Sequence, residues 1–129
     1  MFYYEVDQET QLRLLTMQDS QELFSVTDRS REHLRTWLPW VDATKTVEDT
    51  QLFIQATLHQ FAANNGFQAG IWYKGELAGC VGLHEISWDN RSTSIGYWLA
   101  EEFQGHGIMT NSVRSVVNHL FLSYKLNRV

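Results

Sequence analysis

The sequence predicts an α+β domain, a mixed and mostly antiparallel sheet flanked by helices. Two long segments, 46–64 and 109–124, carry apolar residues at helical spacing, and between them lie runs of β-forming residues broken by turn signals. Size and composition agree with this. A chain of 129 residues fits a single domain, so 1–129 is read as one unit. Its 43% hydrophobic and 13% aromatic residues suffice for a packed core.

From the N-terminus, Leu12 to Leu15 is a short apolar strand. Asp19-Ser20 then caps a helix to about Asp28, and a second helical piece covers Arg31 to Trp37. That piece must stop ahead of Pro39, because the proline ring disfavours a helical residue before it. Thr46 caps a longer helix to about Asn64, in which Val47, Ile54, Leu58 and Phe61 share one face. Asn64-Asn65-Gly66 ends it, the glycine suiting a left-handed cap. Phe67 to Tyr73 and Leu77 to Trp88 are strands joined by Lys74-Gly75, a hairpin signal. Asp89-Asn90-Arg91-Ser92 makes a second turn and Thr93 to Leu99 a third strand. The last helix runs from about Met109 to Tyr124, with Met109, Val113, Val116, Val117, Leu120, Phe121 and Tyr124 on its apolar face. Asn111, Arg114 and Asn118 fall outside that set.

The net charge of −5, without any Lys/Arg cluster, argues against holding a nucleic-acid backbone. A single cysteine, Cys80, excludes an internal disulfide framework and a cysteine-based metal site; it reads as a packed core thiol, and no metal is expected. Met1 to Asp7 has no long apolar run, so neither a signal peptide nor a membrane span is read, and a cytoplasmic location is expected. His33, His59 and His119 have no partner at metal spacing and are expected at the surface.

The informative junction joins the third strand to the last helix: Gln104-Gly105-His106-Gly107-Ile108-Met109-Thr110. Two glycines let the backbone turn tightly and approach a ligand, and the helix start offers unpaired N–H groups and a positive dipole end, which suits a pyrophosphate. By itself a G-x-G of this kind reads first as an ordinary glycine-rich strand-to-helix turn. It is no dinucleotide fingerprint, since the third glycine is missing, and no Gly-Lys-Ser/Thr follows as in a phosphate-binding P-loop.

The residues upstream narrow the choice. Ile95-Gly96-Tyr97-Trp98-Leu99 followed by Gln104–Thr110 closely resembles the acetyl-CoA-binding core of the GNAT superfamily, in the branch that includes ribosomal-protein N-terminal acetyltransferases. Arg31…His33-Leu34-Arg35…Trp37-Leu38-Pro39-Trp40 and Gly82-Leu83-His84…Trp88…Asn90-Arg91-Ser92 are similar to the same branch. The resemblance implies an acyltransferase that moves acetyl from acetyl-CoA to a primary amine. It implies that the 95–99 strand splays from its neighbour and pairs its free backbone with the pantetheine arm. The family loop reads Gln/Arg-x-x-Gly-x-Gly/Ala; Gln104 and Gly107 fit, and Met109 stands in the small-residue slot, where the backbone N–H does the work. His106 occupies a position often held by Lys or Arg, and supplies less charge at pH 7. In the family the last helix is followed by a strand, a helix and a final strand pair. Leu126 to Val129 reads as the start of that strand, so the chain is expected to lack the C-terminal strand-helix-strand elements. An edge left open in this way invites pairing with a second copy.

The chemistry requires a deprotonated amine, a positioned thioester, donors for a developing oxyanion and a departing thiolate. Backbone N–H groups of the 95–99 strand are the expected oxyanion donors. Family members often carry a Glu just before the Ile-Gly-Tyr run, where this chain has Ser94. Glu85, directly or through a water, is then the first candidate base and His84 the second; both also read as solvent-facing strand-end residues. A protein α-amino group, with a pKa of about 7.7–8.0, needs less help than a lysine near 10.4, so the acceptor is expected to be a protein N-terminus. Trp37 and Trp40 either line an acceptor groove or plug the space between helix and sheet. Two alternatives stay open: a small-molecule amine such as a polyamine or drug as acceptor, and a non-catalytic module that binds CoA or a partner protein.

Overall fold

The computed structural model describes residues 3–126. Five strands form one sheet in chain order, each antiparallel to its neighbour: β1 (Tyr4–Glu5), β2 (Thr10–Leu14), β3 (Gln68–Tyr73), β4 (Glu76–Ser87) and β5 (Ser92–Leu99). β1 has only two residues, too few to show a period, and its pairing with β2 is invisible in the sequence pattern. Four helices complete the fold: α1 (Ser20–Arg29), α2 (Arg31–Arg35), α3 (Val47–Ala62) and α4 (Ile108–Leu122).

The turn chemistry acts as the sequence predicts. Lys74 and Gly75 take φ of +50° and +82°, the pair of left-handed residues that a two-residue hairpin requires. Thr46 caps α3 reciprocally: its hydroxyl accepts from the Asp49 N–H at 3.3 Å, and the Asp49 carboxylate accepts from the Thr46 N–H at 3.1 Å. The backbone N–H of Lys45 and that of Thr46 hold the Asp49 carboxyl below its ordinary value.

Helix faces depart from the expected stripes. α3 buries Thr50, Ile54 and Thr57, whereas Phe61 is 46% exposed. Counting only apolar residues misses the two threonines, which share the face of Ile54; the Thr57 hydroxyl is satisfied by the Ile54 carbonyl at 2.8 Å. α4 meets the sheet along one ridge, Ile108, Ser112, Val116 and Leu120, so Val113 and Val117 are half-buried and Phe121 is exposed. α2 ends at Arg35, two residues early, because the chain tightens there: the Trp37 N–H bonds the Leu34 carbonyl at 3.0 Å. At the other end of α4, Lys125 is left-handed and the Leu126 N–H returns to the Leu120 carbonyl. The remainder of the expected next strand, residues 127–129, lies outside the described residues.

Register sorts the sheet into two faces. Leu14, Ala69, Val81 and Tyr97 lie in one row, and Arg13, Gly70, Cys80 and Trp98 in the next. α4 packs on the first face, where Leu12, Leu14, Ala69 and Val116 border an apolar groove of about 650 Å³. On the second face Trp98 meets Trp40, which sits in the short 3-10 turn Pro39–Ala43. Arg31 pins that turn, donating to the carbonyls of Val41 at 2.6 Å and Thr44 at 2.7 Å. Cys80 is buried in the core, and burial pushes its thiol well up, so it is an inert packing residue. Among the described residues no helix is long and apolar enough to cross a membrane, and no three His, Cys, Asp or Glu are grouped to hold a metal.

Candidate active site

β5 stands at the edge of the sheet. The Ala100 N–H bonds the Ala78 carbonyl on β4 at 2.8 Å, and N–H direction alternates along a strand, so Ile95, Tyr97 and Leu99 turn their backbone groups outward. Among the described residues no strand pairs with this edge. It is a row of donors and acceptors that can take an extended ligand by strand addition.

That edge and the following loop both line one groove of about 690 Å³. Residues 97–99, Gln104, Gly105 and 107–110 line one side, and His33, Leu34, Trp37 and Leu38 face them. Gly105 and Gly107 both take positive φ, +86° and +73°. A Cβ built on Gly105 meets nothing within 4 Å, and one on Gly107 meets only the Asn111 amide at 4.0 Å, so the space above both belongs to the groove. Gly107 is the N-cap of α4 and, having no side chain, gives the first N–H groups of that helix no side-chain cap. They point, with the positive helix end, to where an anion would sit. Gln104 braces the loop through its side-chain amide, 2.7 Å from His33 Nε2. His33 was expected at the surface; it is half-buried here, and nothing in its local sequence signals the long-range contact.

Three of the twelve expected loop and strand residues do not line this groove: Ile95, Gly96 and His106. The His106 ring turns away and stacks on Tyr73, with centroids 5.7 Å apart and planes at 26°. It borders a separate polar pocket of about 320 Å³ beside Asp7 and Glu9. Stacking on an aromatic face holds the ring there, and only the backbone of residue 106 stays with the loop. His119, the other histidine that leaves the surface, sits half-buried among Tyr4, Phe67 and Tyr124.

Both candidate bases sit at a bulge. Leu83 pairs with Ile95 and Ile86 with Thr93, so His84 and Glu85 together oppose Ser94. The bulge is pinned from several sides. Gln60 Nε2 donates to the carbonyls of Leu83 at 2.9 Å and His84 at 2.8 Å. The Thr93 hydroxyl donates to the Glu85 carbonyl at 2.6 Å, and Asn65 Oδ1 accepts from the Ile86 N–H at 3.1 Å. The extra residue re-aims His84 across β5, where Nδ1 lies 2.9 Å from Ser94 Oγ. A Cβ on Gly96 would stand 2.7 Å from His84 Nε2, so the glycine leaves the room in which the imidazole lies. Glu85 is exposed. His84 therefore stands on the Trp98 face of the sheet, and neither His84 nor Glu85 lines the groove. Trp37, 73% exposed, lines the groove; Trp40 instead stacks on Phe53, with centroids 6.3 Å apart, and meets Trp98 edge-on at 6.1 Å.

The sequence pattern described as acetyltransferase (GNAT) domain matches residues 10–129. The chain belongs to the GNAT acetyltransferase family. A relative from Bacillus subtilis (strain 168), named "Putative ribosomal N-acetyltransferase YdaF", is 33% identical over 130 residues, covering 100% of this chain and 71% of the relative. The ribosomal-protein-serine acetyltransferase of Escherichia coli (strain K12) is 27% identical across 95% of this chain and 69% of its own length. The solved structure of the ribosomal alpha-N-protein acetyltransferase RimL in complex with coenzyme A superposes with a TM-score of 0.88 at 25% identity, over 92% of this chain and 67% of that one. The α+β class and the acyltransferase chemistry implied by the 95–110 motif are thus those of a GNAT enzyme, and this GNAT chain is shorter than the relatives it matches. The likeness also extends through α1–α3, where sequence pattern alone carried little chemistry.

Proposed function

We propose that this GNAT chain binds acetyl-CoA along the open edge of β5 and transfers the acetyl group to the α-amino group of a protein N-terminus, that of a ribosomal protein first. One observation carries the reading: the unpaired strand edge and the glycine turn at the start of α4 are walls of the same groove. The open space above Gly105 and Gly107 fits a pyrophosphate against backbone N–H groups, with Met109 and Thr110 contributing theirs. The outward groups of Ile95, Tyr97 and Leu99 suit the pantetheine arm and a developing oxyanion. Acetyl-CoA supplies an activated acetyl thioester; the chain supplies position and a proton acceptor.

The acceptor would arrive on the Trp98 face, where His84, Ser94 and Trp40 stand. Trp37 and Trp40 offer aromatic surface to a peptide, and His84 or Glu85 offers a site for the ammonium proton. Among the described residues neither base has a carboxylate partner, which favours an amine already partly neutral near pH 7. The relatives named for ribosomal proteins support the same acceptor class. The test is intact-mass detection of acetylation on a panel of N-terminal peptides, ribosomal and other, beside lysine-only peptides and a polyamine. Product on free α-amines is expected. Product confined to polyamine or lysine overturns the acceptor, and CoA binding without any product makes the chain a non-catalytic module.

A further inference from the structure

Of the two candidate bases, only His84 has a side-chain partner among the described residues. We propose that Ser94 is a positioning residue for His84: its hydroxyl accepts the Nδ1–H, so the neutral ring presents a bare Nε2 as the atom that takes the amine proton. This rests on the acetyltransfer reading above and deepens it.

Four features of the structure converge on that pair. The bulge places two residues of β4 opposite Ser94 alone, which brings the His84 ring onto the Ser94 side chain at 2.9 Å. Carbonyls on both sides of the ring's backbone are tied down by Gln60 and Thr93, so the ring cannot drift with its strand. Nε2 is the ring atom nearest to where a Cβ of residue 96 would stand, and among the described residues no group bonds it. Trp98 and Trp40 lie on the same face, beside β5. A hydroxyl at residue 94 cannot itself be a general base at neutral pH, yet it can decide which ring nitrogen holds the proton, and the free nitrogen is then the base.

The proton step balances simply. One ammonium N–H bond breaks, its electron pair stays on the amine nitrogen, and the proton forms a bond to Nε2. The second proton that the nitrogen sheds on becoming an amide leaves on the CoA sulfur as the C–S bond breaks. His84 then returns its proton to solvent.

The experiment uses the full chain with ¹⁵N-labelled histidine, His84→Gln serving to assign the resonance. In the neutral range the wild-type ring is expected to carry its proton on Nδ1. Ser94→Ala should abolish that preference, and Ser94→Thr, which keeps the hydroxyl, should retain it. In peptide acetylation Ser94→Ala should lower kcat about tenfold with the KM for acetyl-CoA unchanged, and Ser94→Thr should restore most of it. A wild-type proton on Nε2, or the same tautomer in wild type and Ser94→Ala, overturns the positioning role. An altered tautomer with kcat untouched overturns the assignment of His84 as base. A wild-type chain that makes no product strikes the acetyltransfer reading instead, and the tautomer measurement still decides the positioning.

Discussion

Gly107→Ala separates backbone strain from loss of ligand space, because the molecule contains its own control. Gly107 and Gly75 take similar left-handed conformations, φ +73° and +82°, and a Cβ at either finds no protein atom closer than 4.0 Å. Alanine at either site therefore costs about the same stability, on the order of 1 kcal/mol for a non-glycine residue held left-handed. Their surroundings differ. Gly75 is in the β3–β4 hairpin, and Gly107 lines the groove at the start of α4. A methyl at Gly107 would push an anion off the helix N–H groups and forfeit one charge-assisted hydrogen bond, about 1.5–3 kcal/mol, or roughly ten- to a hundredfold in Kd. Valine is a poorer probe, since its branched Cβ adds strain at positive φ. Thermal melts and CoA calorimetry on the two variants give the answer. Equal melting points with a weakened Kd only for Gly107→Ala are expected. Equal affinities would refute the placement of the pyrophosphate at this turn.

Trp40→Ala removes an aromatic stacked on Phe53 and set edge-on to Trp98; it should raise the peptide KM about fivefold, one lost aromatic contact being worth roughly 1 kcal/mol, and leave the KM for acetyl-CoA unchanged. Steady-state kinetics with each substrate varied in turn checks this. The Asp49 carboxyl, held low by N–H groups in the folded chain, contributes stability that is present above its unfolded pKa and lost as pH falls through the lower folded value. Melting temperature should accordingly drop on acidification below about pH 4, and Asp49→Asn should melt lower at pH 7 with a flatter acid limb.

Much of the fold was legible because its signals are local. The Lys74-Gly75 hairpin, the Thr46 cap and the strands flanking both turns rest on residues adjacent in sequence, and the structure places them within one or two positions of the expected bounds. The glycine turn before α4 was legible for the same reason. What the pattern could not show depends on contacts across the chain. His33 reaches Gln104 across 71 positions, and Arg31 reaches forward to the carbonyls of Val41 and Thr44. Thr50 and Thr57 share the buried face of α3, and the Thr57 hydroxyl finds a local acceptor in the Ile54 carbonyl, a possibility that apolar counting ignores.

The Ile95-Gly96-Tyr97 run shows how one motif can be found by its letters and still hide how its parts divide the work. Pattern assigns all three residues to the cofactor. In the folded chain Ile95 and Tyr97 turn their backbone groups outward, as a strand binding a ligand along its edge must. Gly96 faces inward with its backbone bonded toward β4, and its missing side chain makes room for the His84 ring. The two tasks need different things from residue 96: backbone pairing along the strand edge does not use its side chain, whereas a methyl there would stand 2.7 Å from Nε2 and force the imidazole to shift. On the proposed mechanism the glycine couples the strand that would meet acetyl-CoA to the ring that would take the amine proton. That coupling depends on a bulge of one residue in the neighbouring strand, a register shift that appears only when β4 and β5 pair.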